Sequence, residues 1–126
     1  MKVRTPISVL RRAARRGEQG FPIGTVAFYG PDDRRASKVV LGIIRYQGAE
    51  PQLQKWTSDT ADLRKDSRVL QEIVNGMQAA GVKSVVMASR IMGCPHEEGV
   101  DYPEGQACPQ CGFWRGRNRF TGEYEL

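Results

Sequence analysis

All three cysteines of the chain and its only histidine fall between residues 94 and 111, as Cys94-Pro95-His96 and then Cys108-Pro109-Gln110-Cys111. A tetrahedral metal ion needs four ligands at about 2.0–2.3 Å, and soft ligands two or three residues apart supply two vertices from one turn. The loop between the pairs, residues 97–107, is long enough to fold back. The pattern predicts one closed zinc site built by Cys94, His96, Cys108 and Cys111, structural because four protein ligands leave no vertex for water or substrate. Pro109 stiffens the second turn, and Gly112 is expected to take a positive φ that leaves backbone amides aimed at the thiolates. Three closely spaced cysteines argue against a disulfide framework and for a reducing, cytoplasmic setting.

Outside that segment the balance is ordinary for a folded domain, with 40% hydrophobic and 26% charged residues in 126. The longest apolar run, near residues 85–88, is far short of the roughly 20 residues that cross a bilayer. Charge is uneven. Lys2, Arg4, Arg11, Arg12, Arg15 and Arg16 stand against Glu18 alone, an excess equal to the whole formal net charge of +5. Thr5-Pro6 reads as a helix cap and first turn, and Gly17 as the residue past its end. Ile7, Leu10 and Ala14 then share one face while Arg11, Arg12, Arg15 and Arg16 share the other. That face is either a solvated surface or an anion-binding one; a transit peptide is the remaining reading of this end.

Residues 25–29 are β-branched and aromatic, and Gly30-Pro31-Asp32-Asp33 is turn chemistry. A second strand over 38–46 should complete a hairpin with Arg34, Arg35 and Lys38 near its tip. Its almost unbroken apolar run predicts a central strand covered on both faces. Residues 53–57 are a weaker third strand. From Asp66 or Ser67, the positions Val69, Leu70, Ile73, Val74, Met77 and Ala80 follow helical spacing up to Gly81, and 82–88 reads as a buried strand closing half of a crossover unit. The expected fold is α/β in the α+β sense, a mixed sheet with helices on at least one face. Its parts are a basic helical extension (1–20), a core (21–90) and a zinc segment packed on that core (91–126).

The zinc loop carries Glu97, Glu98, Asp101 and Glu104, and is followed by Phe113, Trp114, Arg115, Arg117, Arg119 and Phe120. Aromatics interleaved with arginines suit single-stranded nucleic acid; alternatively Phe113 and Trp114 pack beside the knuckle. His96-x-Glu98 with Cys108-x-x-Cys111 also imitates the zinc deaminase signature, with Glu98 as proton shuttle and Cys94 outside the site. Against it, residue 107 is alanine and the link between the motifs is short.

The string from Gly93 to Gly105, running into Cys-Pro-Gln-Cys and Phe-Trp, resembles one in small bacterial zinc-knuckle proteins of no established activity, as does the Phe21–Asp32 stretch. The resemblance implies a bacterial, cytoplasmic, intact domain and no substrate. Three functions remain. The first is binding of nucleic acid or a ribonucleoprotein through Arg11, Arg12, Arg15, Arg16, Arg34, Arg35, Lys38, Arg115, Arg117 and Arg119. The second is a protein-interaction module using the acidic loop and basic helix. The third is a metal-dependent nuclease or deaminase, for which the strand order is similar to half of a ribonuclease-H-like sheet and Asp59, Asp62 and Asp66 are the candidate carboxylates.

Overall fold

The first helix opens where Thr5 accepts a hydrogen bond from the Ser8 amide at 3.3 Å, with Pro6 in the first turn where its missing N–H costs nothing. This helix, α1, spans Pro6–Arg15 and is followed by Gly17 at φ 77°. The computed structural model describes residues 5–17, 19–106 and 108–114. Four strands follow, β1 (Ile23–Tyr29), β2 (Lys38–Ile44), β3 (Gln52–Thr57) and β4 (Ser84–Ile91), with α2 (Ser67–Ala79) between the last two. The sheet order is β3-β2-β1-β4. Antiparallel pairing joins β1 to β2 and β2 to β3, while β1 and β4 are parallel, so the sheet is mixed and the fold α+β.

The parallel pair requires a crossover, and α2 supplies its helix. Asp66 caps α2 by accepting from the Arg68 and Val69 amides, and Gly81 at φ 68° turns the chain out of it. Leu70, Ile73, Val74 and Met77 of α2 and Leu10 of α1 bury themselves on one face of the sheet, against Val26, Phe28, Val39, Leu41, Ile43 and Val85. Both helices therefore lie on one side.

Two expectations about the strands change here. The apolar run of β2 is covered by helices on one face only; Val40 and Ile44, on the other, are half-buried. β2 also stops at Ile44, where a turn closed by the Ala49 amide on the Tyr46 carbonyl takes over. The last strand, β4, is not buried throughout: Val85 faces the core, but Val86 is 61% exposed. A short apolar run does not itself say how many faces are covered.

Where β1 and β4 part, the register shifts, Val26 facing Met87 and Phe28 facing Ile91. Such a bulge bends the strand and re-aims the residues beyond it. Here it delivers residues 92–94 to the top of the sheet, where the Met92 amide donates to Phe28 O at 2.7 Å and the Gly30 amide to Gly93 O at 2.8 Å. No helix among the described residues is long and apolar enough to cross a membrane.

Candidate metal centre

The segment leaving β4 folds back at the end of the sheet and builds a small second core of Tyr102, Cys108 and Cys111, packed by Cys94 and Trp114. Trp114 anchors it, donating Nε1–H to the Gly30 carbonyl at 2.8 Å and meeting Phe113 edge-on with ring centroids 4.9 Å apart. The two aromatics thus pack beside the knuckle.

His96 Nδ1 lies 3.4 Å from the Sγ of each of Cys94, Cys108 and Cys111, and the four ligand atoms all fall within 4.8 Å of one another. A tetrahedron with ordinary metal–sulfur and metal–nitrogen distances has S···N edges of roughly 3.6 Å, so the four atoms surround a point where a metal ion fits. Cys108 and Cys111 are buried and Cys94 and His96 half-buried. Backbone amides face the sulfurs: that of His96 donates to Cys94 Sγ at 3.2 Å, and those of Gln110 and Cys111 to Cys108. Gly112 has no positive φ, contrary to expectation; it begins a single 3-10 turn, Gly112–Trp114, that seats Trp114.

Electrostatics favour a cation at the centre. Burial pushes the Cys94 thiol up, and burial with its two sulfur neighbours pushes Cys111 up to about 12. Burial opposes ionisation of Cys108 too, but the Gln110 amide and the other donors outweigh it and hold that thiol below its ordinary value. Three sulfurs this close repel one another when ionised, and a dication removes that repulsion. No family model, curated protein or solved structure matches this chain.

The acidic loop closes largely on itself. Asp101 accepts from the Glu97 amide at 2.6 Å, and Glu98 from the Gly105 amide at 3.4 Å. The Glu97 carboxylate takes hydrogen bonds from Lys55 and Lys38 on the sheet, which hold it below the usual carboxylate range. The deaminase-like reading left Cys94 aside and gave Glu98 to proton transfer; in the structure Cys94 is as close to His96 as the other thiols are. Asp62 and Asp66 have structural partners, Arg64 with the Ala36 amide and the α2 amides respectively. Among the described residues no second group of His, Cys, Asp or Glu converges as a metal site would require.

The basic residues named from the sequence divide into three sets. Arg11, Arg12, Arg15 and Arg16 are all exposed on α1 or at its end, and among the described residues none of them forms an ion pair. Arg34 is exposed in the β1–β2 loop. Arg35 and Lys38 turn inward: Arg35 Nη1 donates to the carbonyls of Ser58 at 3.1 Å and Ala61 at 3.0 Å, and Lys38 Nζ to the Pro95 carbonyl at 3.0 Å. Sequence reasoning missed this because both contacts join segments far apart in the chain, and nothing local signals them. Arg115, Arg117 and Arg119 lie outside the described residues.

Facing away from the helices, a groove of ≈ 530 Å³ runs between the sheet and the overhanging metal segment. Thr25, Ala27 and Val40 form its floor, with Tyr29 and Lys38 beneath the turn that carries Cys94 and His96.

Proposed function

We propose that this is a zinc-stabilised protein that binds nucleic acid or another polyanion through the arginine face of α1. The observation that carries the reading is the set of four exposed guanidiniums, three on α1 and that of Arg16 at its C-terminal cap, with the helix itself fixed to the core through Leu10. Regularly spaced guanidiniums on a rigid helix, free of ion pairs among the described residues, meet phosphates without first breaking internal contacts. With Arg35 and Lys38 committed inside the fold, the reading centres on α1, with Arg34 as an outlying contact and with Arg115, Arg117 and Arg119, outside the described residues, kept as further candidates.

Zinc is the ion best matched to three thiolates and one imidazole in a tetrahedron, and with four protein ligands its role is structural. A centre built on thiols suits the reducing cytoplasm of a bacterium. The alternative, recognition of a protein partner by the acidic loop, has less behind it, since Glu97, Glu98 and Asp101 already answer groups of this chain.

The test is binding of metal-quantified protein to short single-stranded and duplex RNA and DNA over a salt series. Affinity should fall steeply with salt, because neutralised phosphates release counterions, and should drop when Arg11, Arg12, Arg15 and Arg16 are changed to Gln. Binding indifferent to salt and to those changes would sink the proposal.

A further inference from the structure

A side chain from the start of β2 reaches up from the sheet to the turn carrying Cys94 and His96. Lys38 points to the face away from the helices, its side chain only 11% exposed, with Nζ 3.0 Å from the Pro95 carbonyl and 3.2 Å from Glu97 Oε1. Pro95 lies between the two ligands of that turn and Glu97 directly after the second. The ammonium also sits 5.9 Å from the centre of the Tyr29 ring. Lys55, from the neighbouring strand, shares the same Glu97 oxygen, whereas the Pro95 carbonyl is held by Lys38.

We infer that Lys38 is a positioning residue for the metal centre, an inference that rests on the metal reading above. Two effects act together. The hydrogen bond to Pro95 fixes the height and tilt of the Cys94–His96 turn over the sheet, so two of the four ligand atoms are held in place from a rigid strand. Three thiolates, one imidazole and a dication sum to one negative charge, and Lys38 and Lys55, sharing the single Glu97 carboxylate, leave one positive charge next to that turn. Outer groups that orient and balance metal ligands in this way are worth roughly 10–100-fold in metal affinity.

A buried ammonium has a separate cost. Desolvating it is unfavourable, and because Glu97 keeps Lys55 as a partner, an apolar residue of similar length at position 38 leaves no uncompensated charge and should leave the metal-free fold about as stable. Lys38 therefore has different effects on the two properties: it favours metal binding and disfavours, or leaves unchanged, the stability of the metal-free fold. A lysine that only packed β2 into the sheet would move both the same way.

The experiment compares the full chain with Lys38→Met, Lys38→Arg and Lys55→Met, using cobalt(II) as probe. It reads the thiolate-to-cobalt charge-transfer and d–d bands, affinity by competition with a chelator, and urea unfolding without metal. Lys38→Met should bind cobalt roughly 10–100-fold more weakly, with altered d–d bands, while its metal-free unfolding midpoint stays level or rises. Lys38→Arg should recover most of the affinity, and Lys55→Met should lose less than Lys38→Met. If the unaltered chain shows no tetrahedral thiolate spectrum, the metal reading itself fails. If it binds cobalt tightly and Lys38→Met binds equally well, or loses affinity only in step with fold stability, the role assigned to Lys38 is overturned.

Discussion

Asp62 shows how one carboxylate can fasten two loops. Its Oδ1 accepts from the Ala36 amide at 3.1 Å and from the Arg64 amide and Nε, and its Oδ2 from Arg64 Nη2 at 2.9 Å. Burial pushes the carboxyl up, but the Arg64 guanidinium and the two amides outweigh it and lower the pKa from 3.8 to about 2. A depressed carboxylate contributes stability that is complete above its ordinary value and is lost as pH falls through the folded one. The window therefore runs from pH 3.8 down to about 2. With the side chain 14% exposed and some screening allowed, the contribution is about 1–2 kcal/mol. Asp62→Asn should cost about that much at neutral pH, and the gap between it and the unaltered protein in urea unfolding should close as the pH falls through that window. The difference is the quantity to follow, because protonation of the clustered thiols would weaken any bound metal in both proteins alike. At the centre itself, Cys108→Ser removes a buried thiolate that faces two amides. Cobalt affinity should drop by at least about tenfold and the charge-transfer band should weaken; an unchanged spectrum would remove Cys108 from the ligand set.

At the scale of elements, the β1–β2 loop and the metal segment are joined through Gly30. Its amide donates to Gly93 and its carbonyl accepts from Trp114, while a Cβ there would stand 2.0 Å from the Arg35 carbonyl oxygen. Gly30→Ala must push backbone against backbone, so it should cost about 2–3 kcal/mol in unfolding experiments and also lower cobalt affinity. Phe28→Ala, in the fully buried centre of the sheet, should cost more, about 3–5 kcal/mol, yet leave cobalt affinity near that of the unaltered chain. Equal effects of the two on the metal would argue against a coupling through the loop. The contrast between local and long-range contacts also governs what the sequence discloses. The helix ends at Thr5-Pro6, Gly17, Asp66 and Gly81 are readable because capping is settled within one turn of chain. The convergence of Cys94, His96, Cys108 and Cys111 is readable because soft ligands at knuckle spacing have few other uses. The exposed face of β4 at Val86 and the inward turn of Arg35 and Lys38 are not, since each depends on which distant segment arrives beside it. Gly112 misleads for the opposite reason: glycine permits a positive φ without requiring one.

Across the whole molecule, the described residues form two apolar cores, one between the helices and the sheet and one around the Cys–His cluster, with α1 anchored in the first. Metal removal should therefore act unevenly. Without a cation, three crowded sulfurs and one imidazole have no centre to close on, and Tyr102, Cys108 and Cys111 lose the reason to stay buried together. The described contacts that dock this segment, Gly30–Gly93, Trp114–Gly30, Lys38–Pro95 and the two lysines on Glu97 foremost, are polar links at the edge of the sheet and not part of its apolar core. The larger core, centred on Phe28, Val39 and Ile73, does not depend on them. After chelation, hydrogen exchange should quicken across residues 94–114 while amides in β1, β2 and α2 keep most of their protection. Uniform loss of protection would instead show that metal is required for the whole fold. The same division bears on function. If α1 carries the binding surface and is held by the larger core, metal-free protein should still bind a short nucleic acid within about threefold of the metal-loaded affinity, with the same salt slope. Loss of binding on chelation, with α1 still protected from exchange, would place the polyanion surface on the metal segment, and the arginines of the helix would then be ordinary solvated surface.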